Sequence, residues 1–255
     1  MNSASVSASA LHAAPVALQL AREAALEPDL SMPELHDLAV DIALSFSTGS
    51  VWDDLKTWTP VSDREAVERL AAFLESERQW WSPLEELTFP QVVVAENGTP
   101  VHTLRPPRLR EDDPTYPDKP AGALWTSSLL PTGAPTWTAV VDTGYLGFDR
   151  PFTGIDLLMD GSGCDVFTIA SAADFATLCE EFAAPRPQGA PGIDWHRVTA
   201  SYHAVHLTFT GLLLAQEAPV HTRFGPMRLR GWDCESTAWL RLPDSARLGE
   251  HRHVT

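Results

Sequence analysis

The stretch GWDCESTAWL, residues 231–240, decides how the chain is read. Its apolar residues read as a β-strand, yet an Asp and a Glu lie inside it, two positions apart. Successive strand residues point to opposite faces. Asp233, Glu235 and Thr237 then form one row, and Trp232, Cys234, Ala238 and Leu240 form the other. Adjacent carboxylates repel, and burial raises the cost of charging them. Either this polar face is solvated, or the pair of acids has chemistry to perform.

The segments upstream of it are also rich in short strands. HAVHLTF (203–209), MRLRG (227–231) and CDVFTIA (164–170) each read as a strand. FPQVVVAENGTPVHTLRPP (89–107) has two β-rich runs around Asn97-Gly98, which predicts a hairpin. Val101, Thr103 and Arg105 share one face of its returning run. PRLREDDPTYPDKPAG (107–122) is a polar, Pro-rich loop, and ALWTSSLLP (123–131) is a short strand. TWTAVV (136–141) and GIDLLM (154–159) are read as further short strands. Two helices interrupt this pattern. Ser171 with Asp174 caps AADFATLCEEF, and Asp194 caps WHRVTASY. The tail LGEHRHVT (248–255) reads as frayed.

The first ninety residues have a different period. Ser31 and Glu34 make a capping box before a stripe of Leu35, Leu38, Ala39, Ile42 and Phe46. Ser62 and Glu65 repeat the device before Val67, Leu70, Ala71 and Leu74. The expected fold class is therefore α+β: an N-terminal helical layer, then a mixed, mostly antiparallel β domain with inserted helices. The expected divisions are a disordered leader over 1–13, a helical region over 14–87, an α+β domain over 88–245 and a flexible tail over 246–255.

Composition narrows the function. With 18 Lys and Arg against 34 Asp and Glu, the net charge is −16. That argues against general nucleic-acid binding, which rests on basic residues, and against an anionic membrane surface. Three cysteines without close pairing favour a reducing, cytoplasmic setting. His203 and His206 are three apart on the expected strand and point to opposite faces, so no metal frame is expected. DGSGCD (160–165) lacks a strand–helix context and reads as a turn.

Three polar signals occur in order: Arg105 in HTLRPP, Thr126-Ser127-Ser128 in LWTSS, and Asp233-Cys234-Glu235 in WDCES. Singly, each also fits a solvated strand. Together they resemble the R-S-E motif order of the ADP-ribosyltransferase superfamily over about residues 91–242. The resemblance implies an enzyme that takes NAD as its substrate, cleaves the nicotinamide–ribose bond and passes ADP-ribose to an unknown acceptor; the Ala-, Pro- and Arg-rich, Lys-poor composition suggests a bacterial source. Glu235 would stabilise the oxocarbenium-like cation. Thr126, with Ser128, would hold Glu235. Arg105 would clamp the pyrophosphate, with Arg108 and Arg110 as rivals. Ser127, Trp125 and Trp232 would border the cofactor, although core packing suits both tryptophans equally. Asp233 would face the acceptor. It stands where the family has Glu or Gln, and its shorter reach argues against arginine as that acceptor. Thr126 replaces the first Ser of the usual motif and keeps its hydroxyl. Two other outcomes stay open: a catalytically inactive α+β module that binds a protein partner, and a glycohydrolase that destroys NAD.

Overall fold

The computed structural model describes residues 6–27, 29–48, 63–94, 103–110, 118–144, 152–160, 163–186 and 191–254. The chain begins with helices α1 (Ala8–His12), α2 (Pro15–Ala24), α3 (Met32–Thr48), α4 (Arg64–Ser76) and α5 (Arg78–Trp81), then a 3-10 turn over Ser82–Glu85. The predicted stripes face inward. Leu35, Ala39, Ile42 and Phe46 of α3 and Val67, Leu70 and Leu74 of α4 are buried. The capping box forms too, with Ser31 N and Oγ donating to Glu34 Oε2 at 2.8 and 2.6 Å.

Two expectations for this half change. Residues 8–12, placed in a disordered leader, form α1. Ser7 caps it by accepting from Ala10 N, and Leu11 is fully buried. A five-residue helix is marginal alone, so tertiary packing of Leu11 holds it. Ser62 lies outside the described residues. Asp63 occupies the N-cap of α4 without capping it through its side chain. Instead it pairs with Arg22 of α2 at 3.2 Å.

The rest is mixed helix and sheet, as expected for α+β. A three-stranded antiparallel sheet has the order β1 (Gln91–Val94), β3 (Phe152–Leu158), β11 (Arg247–Val254). A four-stranded sheet has the order β2 (Leu124–Thr126), β10 (Ser236–Trp239), β7 (Ala204–Leu207), β4 (Val166–Ile169), with only β7 and β4 parallel. A backbone bridge joins the sheets: Val92 N donates to Ser127 O at 2.8 Å and Ser127 N to Val92 O at 3.0 Å. Trp239, Ala204, Val93 and Leu157 pack into one apolar cluster that draws on both sheets. A larger core on the helical side takes in Leu11, Phe46, Leu74, Phe175, Val205 and Ala238.

Several β expectations are corrected. TWTAVV belongs to helix α6 (Trp137–Asp142), so burial of Val140 and Val141 overrides their strand propensity. HAVHLTF yields a strand only to Leu207. Thr208 then caps α9 (Phe209–Leu214) by accepting from Gly211 N at 2.9 Å. Short strands β5 (Ala183–Ala184) and β6 (Gly192–Ile193) pair antiparallel. β8 (Val220–Thr222) and β9 (Gly225–Met227) form a hairpin, so MRLRG contributes only its Met to a strand. Residues 103–110 form no regular strand. They are bonded to the next segment through Arg108 N–Gly122 O and Arg110 N–Ala121 O. The hairpin turn at Asn97-Gly98 lies outside the described residues. Residues 246–255, expected to be flexible, mostly form β11, with Arg252 paired to Asp156 of β3. The helices α7 (Ala172–Phe182) and α8 (Trp195–Ser201) carry the predicted caps, Ser171 and Asp194. Among the described residues no helix is long and apolar enough to cross a membrane.

Candidate functional site

The opening stretch does not form one strand. Only Ser236–Trp239 enters the ladder. Asp233 adopts φ 60, a left-handed conformation that most residues avoid. The simple alternation of faces therefore ends before it, and Asp233 does not stand in a row with Glu235 and Thr237. Asp233 N donates to Gln216 Oε1 at 3.1 Å, and the residue is buried.

Within the ladder, register builds a polar row in the interior. Thr237 of β10 lies opposite Thr126 of β2 on one side and His206 of β7 on the other. Gln91 reaches this row from the other sheet. Its Oε1 accepts from Thr126 Oγ1 at 3.0 Å and from Thr237 Oγ1 at 3.2 Å. Its Nε2 donates to Ser128 Oγ at 2.9 Å and to Thr88 O at 2.9 Å. Trp239 Nε1 donates to Thr126 Oγ1 at 3.0 Å, and His206 Nδ1 lies 2.9 Å from Thr237 Oγ1. Buried polar groups require such partners.

Glu235 ends this network and is fully buried. Ser128 Oγ donates to its Oε1 at 2.7 Å, and Ser128 N donates to its Oε2 at 3.0 Å. Thr136 Oγ1 lies 2.9 Å from Oε2 and 2.9 Å from the Glu235 carbonyl oxygen. His206 Nδ1 is 3.7 Å from Oε1. Burial pushes the Glu235 carboxyl up to about 7, against the lowering effect of Ser128 and Thr136, and the charge of Glu85 adds to the rise. Burial also pushes His206 down to about 4. Glu85 is held above its ordinary value by burial while accepting from Thr210 N at 2.8 Å.

The residues singled out from the sequence divide into three groups. Glu235 and Ser128 meet directly. Thr126 joins their network through Gln91 but has no hydrogen bond to Glu235, so Ser128 holds the acid where Thr126 was expected to. Ser127 is fully buried, and its side-chain oxygen has no hydrogen-bond partner. Its contribution is the backbone bridge between sheets.

Trp125 and Trp232 belong to the opposite face. Their rings meet edge-on at 4.9 Å, Lys119 sits over Trp125 at 4.7 Å, and both pack on the helical-side core. Trp125 precedes Thr126 on β2 and so faces away from the Glu235 network. The packing reading fits both tryptophans.

Arg105 is exposed and has no contact with Glu235. Arg105, Arg108 and Arg110 line one open groove of about 630 Å³ with Pro106, Gly122 and Leu124. None of the three side chains has a hydrogen bond or ion pair among the described residues. Leu124 lies on β2, two residues from Thr126, so the groove borders the strand that leads to the Glu235 cage.

Sequence reasoning missed Gln91, Thr136 and His206, and also a second buried glutamate. Glu217, at φ 62, is buried. Burial pushes its carboxyl up to about 7, against the pull of Arg230 and Arg228, with Asp233 raising it further. Arg230 Nε lies 3.5 Å from its Oε2. His203 is separate from His206: it accepts from Asp165 N at 3.1 Å. Among the described residues no group of three or more His, Cys, Asp or Glu could hold a metal.

No protein-family model matches the chain, and no curated protein or solved structure matches it.

Proposed function

We propose that the protein is an ADP-ribosyltransferase-like enzyme that takes NAD as its substrate, cleaves the nicotinamide–ribose bond and transfers ADP-ribose to an acceptor. The observation that carries this reading is the grip of Ser128 on both oxygens of Glu235, at 2.7 and 3.0 Å. A carboxylate whose orientation is fixed in advance, in a low-dielectric setting, stabilises a developing sugar cation without reorganising. The arginine-lined groove beside β2 supplies the diphosphate contacts, and Arg105, Arg108 and Arg110 share that role. Asp233, outside the Glu235 row and beside Glu217, is the acceptor-side acid. Bacterial origin and a cytoplasmic setting belong to the same reading.

A second reading is an inactive α+β module that binds a protein partner. The complete burial of Glu235 favours it, because a ribose reaches that carboxylate only if the cage opens. Release of nicotinamide from NAD by the purified protein, with Glu235→Gln as control, decides between the two. Turnover abolished by Glu235→Gln supports the enzyme. Absence of both NAD binding and turnover leaves the binding module. Labelled NAD then separates transfer from hydrolysis by where the ADP-ribose ends.

A further inference from the structure

The cage around Glu235 has a direction. Trp239 Nε1 can only donate, so Thr126 Oγ1 accepts there and sends its own proton to Gln91 Oε1. Thr88 O fixes which end of the Gln91 amide is nitrogen. Thr237 Oγ1 also gives its proton to Gln91 Oε1. The 2.9 Å contact between Thr237 Oγ1 and His206 Nδ1 therefore takes its proton from the histidine. His206 carries hydrogen on Nδ1, committed to Thr237. Its Nε2 has no hydrogen-bond partner, and the backbone of Ser236 is the ring's other polar neighbour. On the other arm, Gln91 Nε2 occupies Ser128 Oγ, so the serine proton points at Glu235 Oε1.

Ser128 thus donates to Glu235 in one sense only, from both nitrogen and oxygen. Thr136 differs. Its single hydroxyl proton has two acceptors at 2.9 Å, the Glu235 Oε2 and the Glu235 carbonyl oxygen. When Glu235 is ionised, the proton points at Oε2. When Oε2 holds a proton, that O–H donates to Thr136 Oγ1 and the threonine proton turns to the carbonyl oxygen. No heavy atom moves. On ionisation the bond that breaks is Oε2–H, and its proton goes to water.

We propose that Thr136 is the positioning residue for Glu235: it holds the carboxyl in one place in both charge states and places the ionisable proton on Oε2. The other groups facing Glu235 do not substitute for it. His206, from β7, has its Nδ1 proton committed to Thr237. Glu85, from the 3-10 turn, opposes ionisation. The Cys234 thiol, next in the chain, is held protonated by burial and by the charges of Glu235 and Asp233, against the lowering effect of Lys119 and of its own hydrogen bond with Thr136, so it donates to Thr136 and not to Glu235. The consequence for turnover rests on the reading of Glu235 as the sugar-facing carboxylate. Only the ionised form stabilises the cation, so turnover rises with pH as Glu235 ionises.

The test is a titration of Glu235 by the ¹³C shift of its carboxyl carbon, assigned by its loss in Glu235→Gln. Thr136→Val keeps the shape and removes the hydroxyl. It is expected to raise the midpoint by about one pH unit, the difference between one hydrogen bond to a charged carboxylate and one to the neutral acid. Thr136→Ser, which restores the hydroxyl, is expected to return the wild-type midpoint. An unchanged midpoint in Thr136→Val overturns the proposal. If that variant does not fold, Thr136→Cys, with its weaker donor, is judged by the same criterion. Nicotinamide release is read on the same samples. A moved midpoint with no nicotinamide from any sample overturns the enzyme reading and leaves the role of Thr136 standing.

Discussion

Gln91 Nε2 lies 2.9 Å from Ser128 Oγ, and through that contact a residue of one sheet aims a hydroxyl at an acid next to the other. The same amide oxygen collects the protons of Thr126 and Thr237. Gln91→Met therefore takes one hydrogen bond from each of three buried hydroxyls while keeping most of the volume; Ser128 keeps Glu235, Thr126 keeps Trp239 and Thr237 keeps His206. Each lost hydrogen bond costs about 0.5–1.5 kcal/mol. A loss of about 2–4 kcal/mol in urea denaturation is expected. Freed from Gln91, the Thr237 proton can turn to His206 Nδ1 and move the ring hydrogen to Nε2. Ring ¹⁵N shifts report that tautomer directly. An Nε2–H form in the wild-type protein would contradict the assigned polarity.

Stability should pass through a maximum in mildly acidic solution. Glu235 and Glu217 are held at about 7 when folded, against 4.5 for a free side chain. Between those values the unfolded chain has lost the proton and the folded chain keeps it. Each group then contributes stability that is complete below pH 4.5 and is lost as pH rises through about 7, up to about 3 kcal/mol apiece. His206 has the opposite sign. Its folded value is about 4 against 6.5, so its contribution is present above 6.5 and is lost as pH falls through 4. Denaturation midpoints measured from pH 4 to 8 should show both limbs. Glu235→Gln should flatten the upper limb, and His206→Gln the lower. An upper limb unaltered by both Glu235→Gln and Glu217→Gln would contradict the burial argument.

The physical basis of each site explains what could be read in the sequence. The stripes of α3 and α4 and the caps of α7 and α8 are local, so a few residues specify them. The partnership of Glu235 with the Thr-Ser-Ser stretch was legible from motif order, although Ser128 rather than Thr126 makes the bond. The positions of Gln91, Thr136 and His206 were not legible. Each acquires its role from a partner far along the chain, as when Gln91 meets Thr237, 146 residues away. Asp233 was misplaced on a strand because its left-handed backbone is held by Gln216, which no local pattern announces. The polar, His-rich β11 lacks a hydrophobic period and is recruited by pairing with β3.

Helix α1 shows how strongly tertiary packing acts on a segment whose composition reads as disorder. Leu11 is fully buried, and α1 packs against α2 and α4. Leu11→Ala removes that anchor and leaves a cavity. A loss of about 2–5 kcal/mol is expected in urea denaturation. The variant should also open α1 to proteases before the rest of the chain. A change below about 0.5 kcal/mol would mean that α1 contributes little to the folded core.

Gly122 controls the arginine groove without carrying charge. It adopts φ 84, and a Cβ there would lie 2.0 Å from Arg108 O. Arg108 N donates to Gly122 O at 3.1 Å, so the two segments approach as closely as backbones allow. Gly122→Ala forces a side chain into the left-handed region, costing about 1–2 kcal/mol, and pushes the arginine segment away from β2. Loss of the paired backbone bond adds about 1 kcal/mol. Binding of inorganic diphosphate, followed by calorimetry, reads the consequence. Arg105→Gln, Arg108→Gln and Arg110→Gln should each weaken binding and reduce its salt dependence, because each removes a charge. Gly122→Ala should weaken binding with the charge intact, through displaced geometry alone. Equal diphosphate affinity in Gly122→Ala and wild type would show that the groove does not depend on this backbone approach.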